Sequence, residues 1–136
     1  MKVVIIDGQG GRLGQKLAEA IKASPVECGL YAVGTNTIAT SAMLKGGADF
    51  AATGENAVIV ACRDADVIVG PIGITVADAL LGEITPEMAK AVGQSRAVKL
   101  FLPVSHCNNQ VVGVQNLSLS DMVEAAVEKL KDCVKC

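Results

Sequence analysis

Apolar residues occur along the chain in short runs that alternate with stretches of helical spacing. The short runs predict strands, at 3–6, 29–33, 67–69 and 98–102, with a further short strand at 48–52. Apolar residues three and four positions apart predict helices, at 13–21, 41–45 and 119–134. Residues 56–62 fit either a helical turn or a strand, because short apolar runs do not separate the two. This alternation is typical of an α/β protein with a parallel sheet.

Capping residues predict where two further helices begin. Thr85 followed by Pro86 predicts a helix to about residue 93, because the threonine oxygen accepts a free backbone N–H and proline fits the first helical position. Thr75 can also cap a helix, which would run through Leu81, but Thr85 is the better helix start of the two. The loop between strand 67–69 and the helix at Pro86 is therefore expected to be partly helical.

The last two predicted strands lie too close together in sequence for a helix to connect them. A polar loop at 103–110 separates the strand at 98–102 from the apolar run at 111–114. Parallel neighbours need a crossover of a dozen or more residues, so this pair is predicted to form an antiparallel hairpin or edge. The final helix is predicted to be capped by Ser118 or Ser120.

Length and composition narrow the fold class. A chain of 136 residues is one domain and leaves no room for the separate substrate domain that most dinucleotide enzymes carry. Hydrophobic residues make up 51% and charged residues 19%, which suits a parallel sheet buried on both faces. We therefore predict a single α/β domain over residues 1–136, three-layered, doubly wound and Rossmann-like, with a mostly parallel sheet and an antiparallel edge strand.

Charge and residue usage exclude several classes of partner. A net charge of −2 and an aromatic content of 2% argue against nucleic acid and against anionic membranes. No apolar stretch has membrane-spanning length and the start does not read as a signal peptide, so the chain is expected to be soluble and cytoplasmic. Its five cysteines, an odd number, favour reduced thiols. Cys133 and Cys136 end a helix, which favours a tail with free thiols over a zinc or redox site, so no metal is predicted.

The first strand runs directly into a glycine-rich segment, residues 8–14, the glycine turn. Gly8 permits a sharp exit from the strand, Gly10 and Gly11 let bare backbone approach a diphosphate, and Gly14 lets the helix press against the sheet. The first N–H groups of the helix would then point at the anion. The spacing G-x-x-G-x-x-G is a variant of the G-x-G-x-x-G of dinucleotide enzymes, so it predicts binding of NAD(P) or a related nucleotide.

Two charged residues beside the glycine turn each allow two interpretations. The Arg12 guanidinium either reaches a phosphate or is solvated on the first helical turn. Asp7 would repel an anion, so it either accepts the turn's own N–H groups, which we favour, or helps to place a metal or a ribose. The first interpretation of Asp7 makes the turn a self-satisfied structural element.

The carboxyl ends of parallel strands are where doubly wound sheets bind ligands. At the end of the second strand, where related nucleotide-binding folds carry an acidic residue for the ribose, this chain has neutral Thr35 and Asn36. Their neutrality would tolerate a 2′-phosphate better than a carboxylate would, yet no arginine lies beside them. The predicted cofactor-binding residues are Gly8, Gln9, Gly10, Gly11, Arg12, Leu13, Gly14, Thr35, Asn36, Gly70, Pro71 and Ile72.

Candidate catalytic residues are few. His106 is the only histidine and lies beside Cys107 in the polar loop, which makes them a candidate proton donor and a candidate nucleophile. Adjacent residues of an extended chain point in opposite directions, so the two are not expected to act as a pair. Asp78, Glu83 and Glu87 are expected to be solvated or to complement a helix dipole.

Two resemblances add to this interpretation. The residues Gly8, Gly11, Arg12, Leu13 and Gly14 resemble the cofactor turn of dihydrodipicolinate reductase over about the first twenty residues, which implies a dinucleotide diphosphate there. The whole chain resembles a family of small bacterial proteins described as a conserved domain of unknown function. The segments that carry this resemblance are 7–11, 34–36, 70–74, 79–86 and 107–108.

Three hypotheses follow for the function. The first is a nucleotide-binding domain, which the glycine turn favours. The second is a small oxidoreductase-like enzyme whose site, between 70–74 and 106–109, is completed by a partner subunit. The third is a non-catalytic scaffold or assembly module in which the glycine turn is architectural. The mean hydropathy of +0.44 is high for so small a domain and favours a homodimer formed through one face of the helices.

Overall fold

Five strands form the central sheet of the described part of the chain, and helices connect them. The structure, a computed structural model, describes residues 1–104 and 108–134. The strands are β1 Lys2–Asp7, β2 Gly29–Gly34, β3 Phe50–Thr53, β4 Val67–Pro71 and β5 Val98–Leu102. The helices are α1 Arg12–Ala23, α2 Thr37–Lys45, α3 Glu55–Asp64, α4 Pro86–Gln94 and α5 Leu119–Val134.

The sheet is parallel throughout, in the order β3-β2-β1-β4-β5. The chain builds outward from β1 in one direction through β3 and then returns to the other side of β1 with β4. The strand order therefore reverses between β1 and β4, which is the switch point of a doubly wound sheet. The predicted fold class, a single Rossmann-like α/β domain, is confirmed.

Helices cover both faces of the sheet and divide the core into two apolar layers. Val3 and Ile5 of β1 face the layer that contains α1, α2 and α5, whereas Val4 and Ile6 face the layer that contains α3 and α4. All four side chains are at most 1% exposed. Alternate residues of one strand thus serve two layers, which explains the uninterrupted apolar run in the sequence.

The predicted antiparallel edge strand at 111–114 is wrong. In the described chain this segment is irregular, and Gly113 takes a left-handed φ of 84° that turns the backbone. Val112 is 96% exposed, so neither face of the segment is buried against a neighbouring layer. The apolar run has no layer of the domain to pack against, so it does not form a strand.

The helix predicted from Thr75 through Leu81 is also wrong. A short 3₁₀ helix, Ile72–Thr75, follows β4, and Thr75 ends it rather than capping a new helix. Left-handed φ angles at Asp78, Leu80 and Leu81 exclude a right-handed helix over the next residues. The segment 76–84 is instead a compact loop.

Other boundaries follow their capping signals. Thr85 accepts the Met88 N–H at 3.2 Å at the start of α4, and Ser118 accepts the Asp121 N–H at 3.1 Å at the start of α5. Asn36 accepts the Ala39 N–H at 2.9 Å, so α2 begins earlier than predicted. The ambiguous segment at 56–62 is helical and lies within α3. No helix in the described residues is long and apolar enough to span a membrane.

Candidate functional site

The glycine turn joins β1 to α1 at the switch point of the sheet. The Gly8 carbonyl accepts the Gly11 N–H at 2.9 Å, which closes the turn, and Gly11 adopts a φ of 72° immediately before the helix. An added Cβ at Gly11 would lie 2.6 Å from the Ala39 backbone, so a larger residue here would push α2 away from the start of α1. The turn and the start of α2 are therefore held together as one structure.

Asp7 holds the glycine turn in place from its buried side. Its two carboxylate oxygens accept the N–H groups of Gly8 at 2.8 Å and Gly14 at 2.7 Å, and its side chain is buried. Burial raises the pKa of Asp7 above its ordinary value of 3.8, the two donors lower it in part, and the Glu83 charge raises it further. This geometry agrees with the interpretation in which Asp7 accepts the turn's own N–H groups.

Asp7 leaves the exposed donors of the turn unused. Among the described residues, the backbone N–H groups of Gly10, Arg12 and Leu13 form no hydrogen bond. Two of these groups belong to the first turn of α1, where the helix dipole places partial positive charge. Unused donors at this end of a helix are suited to an anion.

A crevice of about 230 Å³ opens in front of these donors. It lies outside the carboxyl ends of β1 and β4, and Arg12, an exposed cation, lines it. Pockets that enclose a whole small-molecule ligand measure roughly 300–1,000 Å³. The crevice is therefore suited to a phosphate or diphosphate, with the rest of a larger ligand outside it. Its full lining is Asp7, Gly8, Gln9, Gly10, Gly11, Arg12, Leu13, Pro71, Leu80, Val104 and Leu119.

A second carboxylate, Glu83, reaches the turn from the loop after β4. Its Oε1 accepts the Gln9 N–H at 2.9 Å, the Thr35 hydroxyl at 2.6 Å and the Asn36 side-chain amide at 2.8 Å. Burial acts to raise the pKa of Glu83, but the donors Thr35, Gln9 and Asn36 outweigh it and hold the pKa below its ordinary value of 4.5. Glu83 was expected to be solvated or to complement a dipole, and this expectation was wrong.

Sequence reasoning had one usable signal for Glu83. The residue follows β4 at the same edge of the sheet as Thr35 and Asn36, so the topology brings the three together. The contact was not predicted because the partners are far apart in the sequence. Glu83 is 48 positions from Thr35 and 47 positions from Asn36. The acidic group that appeared to be missing at the end of β2 is supplied from elsewhere.

The remaining predicted cofactor-binding residues have different surroundings. Pro71 lines the crevice beside the glycine turn. An added Cβ at Gly70 would overlap the Ile6 carbonyl oxygen, so this glycine serves the close packing of β4 on β1. Ile72 begins the 3₁₀ helix. Binding by any of these residues stays a prediction.

The predicted catalytic residues, His106 and Cys107, lie outside the described residues, and their assignment stays a prediction. In the part of the chain that is described, no cluster of three or more histidine, cysteine, aspartate or glutamate residues is placed to hold a metal ion. Burial raises the pKa of the Cys62 thiol to about 11 despite nearby Lys99 and Lys2, which makes it a poor nucleophile at neutral pH.

A larger groove of about 430 Å³ lies between α3 and α4. Its cations, Arg63 and Arg96, lie where α3 and α4 end, and Lys90 lies in the body of α4. A positive side chain in the last turn of a helix complements the dipole there, which accounts for Arg63 without a ligand. No residue of the glycine turn lines this groove, and it lies away from the switch point of the sheet, so the crevice is the better candidate site.

Comparison with known proteins identifies the family of the chain and leaves the activity open. The sequence profile of the family described as domain of unknown function DUF3842 matches residues 2–135. No curated protein matches the chain. Among solved structures, a dodecameric FMN-dependent UbiX-like decarboxylase from Escherichia coli O157:H7 resembles it with a TM-score of 0.45 and 16% identity, over 100% of this chain and 96% of that one. Neither the FMN nor the assembly of that protein is assigned to this chain.

Proposed function

We propose that this chain, which belongs to the family described as domain of unknown function DUF3842, binds the phosphate groups of a nucleotide such as NAD(P) in the crevice at the start of α1. The observation that carries the proposal is the set of unused N–H donors at Gly10, Arg12 and Leu13 in front of that crevice. These donors lie at the switch point of a doubly wound sheet, where such folds bind ligands.

The residues at the turn fit a phosphate better than a neutral ligand. Backbone donors, the helix dipole and the Arg12 guanidinium all favour negative charge. Nothing fills the space at Gly10, since an added Cβ there would have no neighbour within 4 Å. An oxygen of a phosphate therefore has access to the backbone at this residue.

Thermal unfolding with a panel of ligands tests the proposal. NAD, NADP, ATP and adenosine phosphates should raise the midpoint temperature of unfolding, because they bind only the folded state. Such a ligand stabilises the folded state by about 2.7 kcal/mol at a concentration of about one hundred times its Kd. S-adenosylmethionine carries no phosphate and should have little effect. Arg12→Ala should reduce the shift, whereas Arg96→Ala, in the groove between α3 and α4, should not. A panel without any shift would contradict the proposal.

A second candidate function, a structural or assembly module, is favoured by the carboxylates at the turn. Asp7 and Glu83 occupy the N–H groups of Gly8, Gln9 and Gly14, as expected of a self-satisfied turn. Under this alternative, Gly10→Ala would leave every property of the protein unchanged. Under the nucleotide proposal, the added methyl group would obstruct the approach of the phosphate and weaken binding.

We also propose that the chain forms a homodimer through the layer that contains α1 and α2. Ile38 and Leu44 of α2 are 68% and 47% exposed. Large apolar side chains exposed on one helix of a small domain favour a protein partner.

A further inference from the structure

The Glu83 carboxylate has one oxygen that is fully engaged and one that is not. Oε1 accepts the three donors from Gln9, Thr35 and Asn36. No group among the described residues donates to Oε2. An ionised carboxylate accepts about four hydrogen bonds over its two oxygens, so the side chain retains acceptor capacity at the rim of the site.

The loop at 76–84 holds Glu83 in this position. Its backbone closes on itself, with the Asp78 N–H donating to the Ile84 carbonyl at 2.7 Å and the Glu83 N–H donating to the Leu80 carbonyl at 3.1 Å. Leu80 and Ile84 are buried and anchor the loop to the domain. An added Cβ at Gly8 would lie 2.8 Å from the Leu80 side chain, so loop and turn fit against each other.

The loop also contains backbone strain. Asp78, Leu80 and Leu81 adopt φ angles of 67°, 56° and 57°, in the left-handed region that side chains disfavour. Such residues persist where the surrounding structure fixes them, and they concentrate at ligand sites. Here the strained residues lie just before Glu83, and the loop places the Glu83 carboxylate at the ends of β1 and β2.

We propose that Glu83 is the residue that selects a nucleotide whose ribose carries free 2′- and 3′-hydroxyl groups over one with a 2′-phosphate. The inference rests on the proposed function of the crevice. The free Oε2 accepts hydroxyl groups, whereas the negative charge repels a phosphate at the same place. Dinucleotide-binding folds place an acidic residue for the ribose at the end of the second strand, and here the loop after β4 delivers it there.

This assignment changes the expectation drawn from Thr35 and Asn36. Both side chains donate to Glu83, so they do not present a neutral surface to the ribose. They position the carboxylate instead. The site is therefore expected to discriminate against a 2′-phosphate, although neither residue at the end of β2 is acidic.

Isothermal titration calorimetry with NAD, NADP and inorganic diphosphate tests the inference on the full chain. NAD and NADP differ only by the 2′-phosphate. The wild type should bind NAD at least about tenfold more tightly than NADP, as expected when a charged hydrogen bond is replaced by repulsion. Glu83→Gln should bring this ratio close to one. Glu27→Gln, an exposed site before β2, is the matched control and should keep the wild-type ratio.

The outcomes separate the inference from the function it rests on. Equal binding of NAD and NADP to the wild type overturns the inference and leaves the nucleotide site standing. If Glu83→Gln strengthens the binding of NAD, NADP and diphosphate alike, Glu83 blocks the site and the inference is wrong. If the wild type binds none of the three, the inference and the proposed function both fail. The wild-type ratio needs no variant, so the test remains decisive even if Glu83→Gln does not fold.

Discussion

Two carboxylates contact the glycine turn, and their surroundings shift their pKa values in opposite directions. Asp7 is buried beneath the turn, and that burial raises its pKa, whereas Glu83 lies at the rim and its three donors lower its pKa. Asp7 therefore contributes to the structure of the turn, while Glu83 keeps an ionised group next to the crevice. The sequence predicted the first role from the position of Asp7 before the glycines and did not predict the second.

Asp7→Asn tests the role of the buried carboxylate. The Gly8 and Gly14 N–H groups bind different oxygens of Asp7, and in the variant an NH₂ group would face one of them, so the variant should be about 1–3 kcal/mol less stable at pH 7. Because the pKa of Asp7 is raised, the folded state binds the proton more tightly, and its contribution to stability grows as the pH falls from 7 towards 3.8. Urea unfolding at several pH values measures the difference between wild type and variant, which should widen as the pH falls. A difference that narrows would contradict this account.

Gly11 lies in the contact between the glycine turn and α2, where a side chain would not fit. Gly11 combines a left-handed φ of 72° with backbone contact to Ala39, whereas Gly10 has open space around it. Gly11→Ala should therefore destabilise the protein by about 3 kcal/mol, from a left-handed alanine together with overpacking. Gly10→Ala is the matched control and should change the free energy of unfolding by less than about 0.5 kcal/mol. Similar values for the two variants would show that the turn is not held as described.

The elements that sequence reasoning found are those whose signals are local. Thr85 and Pro86 mark the start of α4 through their own backbone chemistry, and the buried runs of β1 and β4 show directly as apolar residues. The segments it misassigned depend on distant partners. Thr75 has the chemistry of a cap, but the loop after it is fixed by packing against Gly8, and 111–114 lacks a layer to cover. In both segments, contacts with distant parts of the fold, or the lack of them, determined the structure.

At the scale of the whole molecule, the strand order determines where a site can lie. Reversal between β1 and β4 opens the crevice and brings the loop after β4 to the end of β2. The glycine turn and its position were predictable from the sequence, because they belong to one continuous segment. The contact with Glu83 was not, since it joins residues 74 positions apart through the folded sheet.

The proposed homodimer is also a property of the whole molecule. Light scattering after size exclusion should give a mass of twice 13.9 kDa for the wild type. Ile38→Glu places a charge on the exposed surface of α2 and should shift the mass to that of the monomer. Val60→Glu on α3, whose native side chain is 46% exposed, is the control in the opposite layer and should remain dimeric. A monomeric wild type would rule out this assembly.

The central claim is that the crevice at the glycine turn binds a nucleotide. Its most direct test is a titration of the ¹⁵N-labelled protein with NAD, in which the chemical shifts of the backbone amides are measured. The unused donors at Gly10, Arg12 and Leu13 should show the largest saturable changes, because a phosphate would accept their hydrogen bonds. Amides in the groove between α3 and α4, such as Lys90 and Gln94, should change little. If those three amides stay unchanged at saturating NAD, or if the α3–α4 groove responds instead, the crevice at the glycine turn is not the nucleotide site.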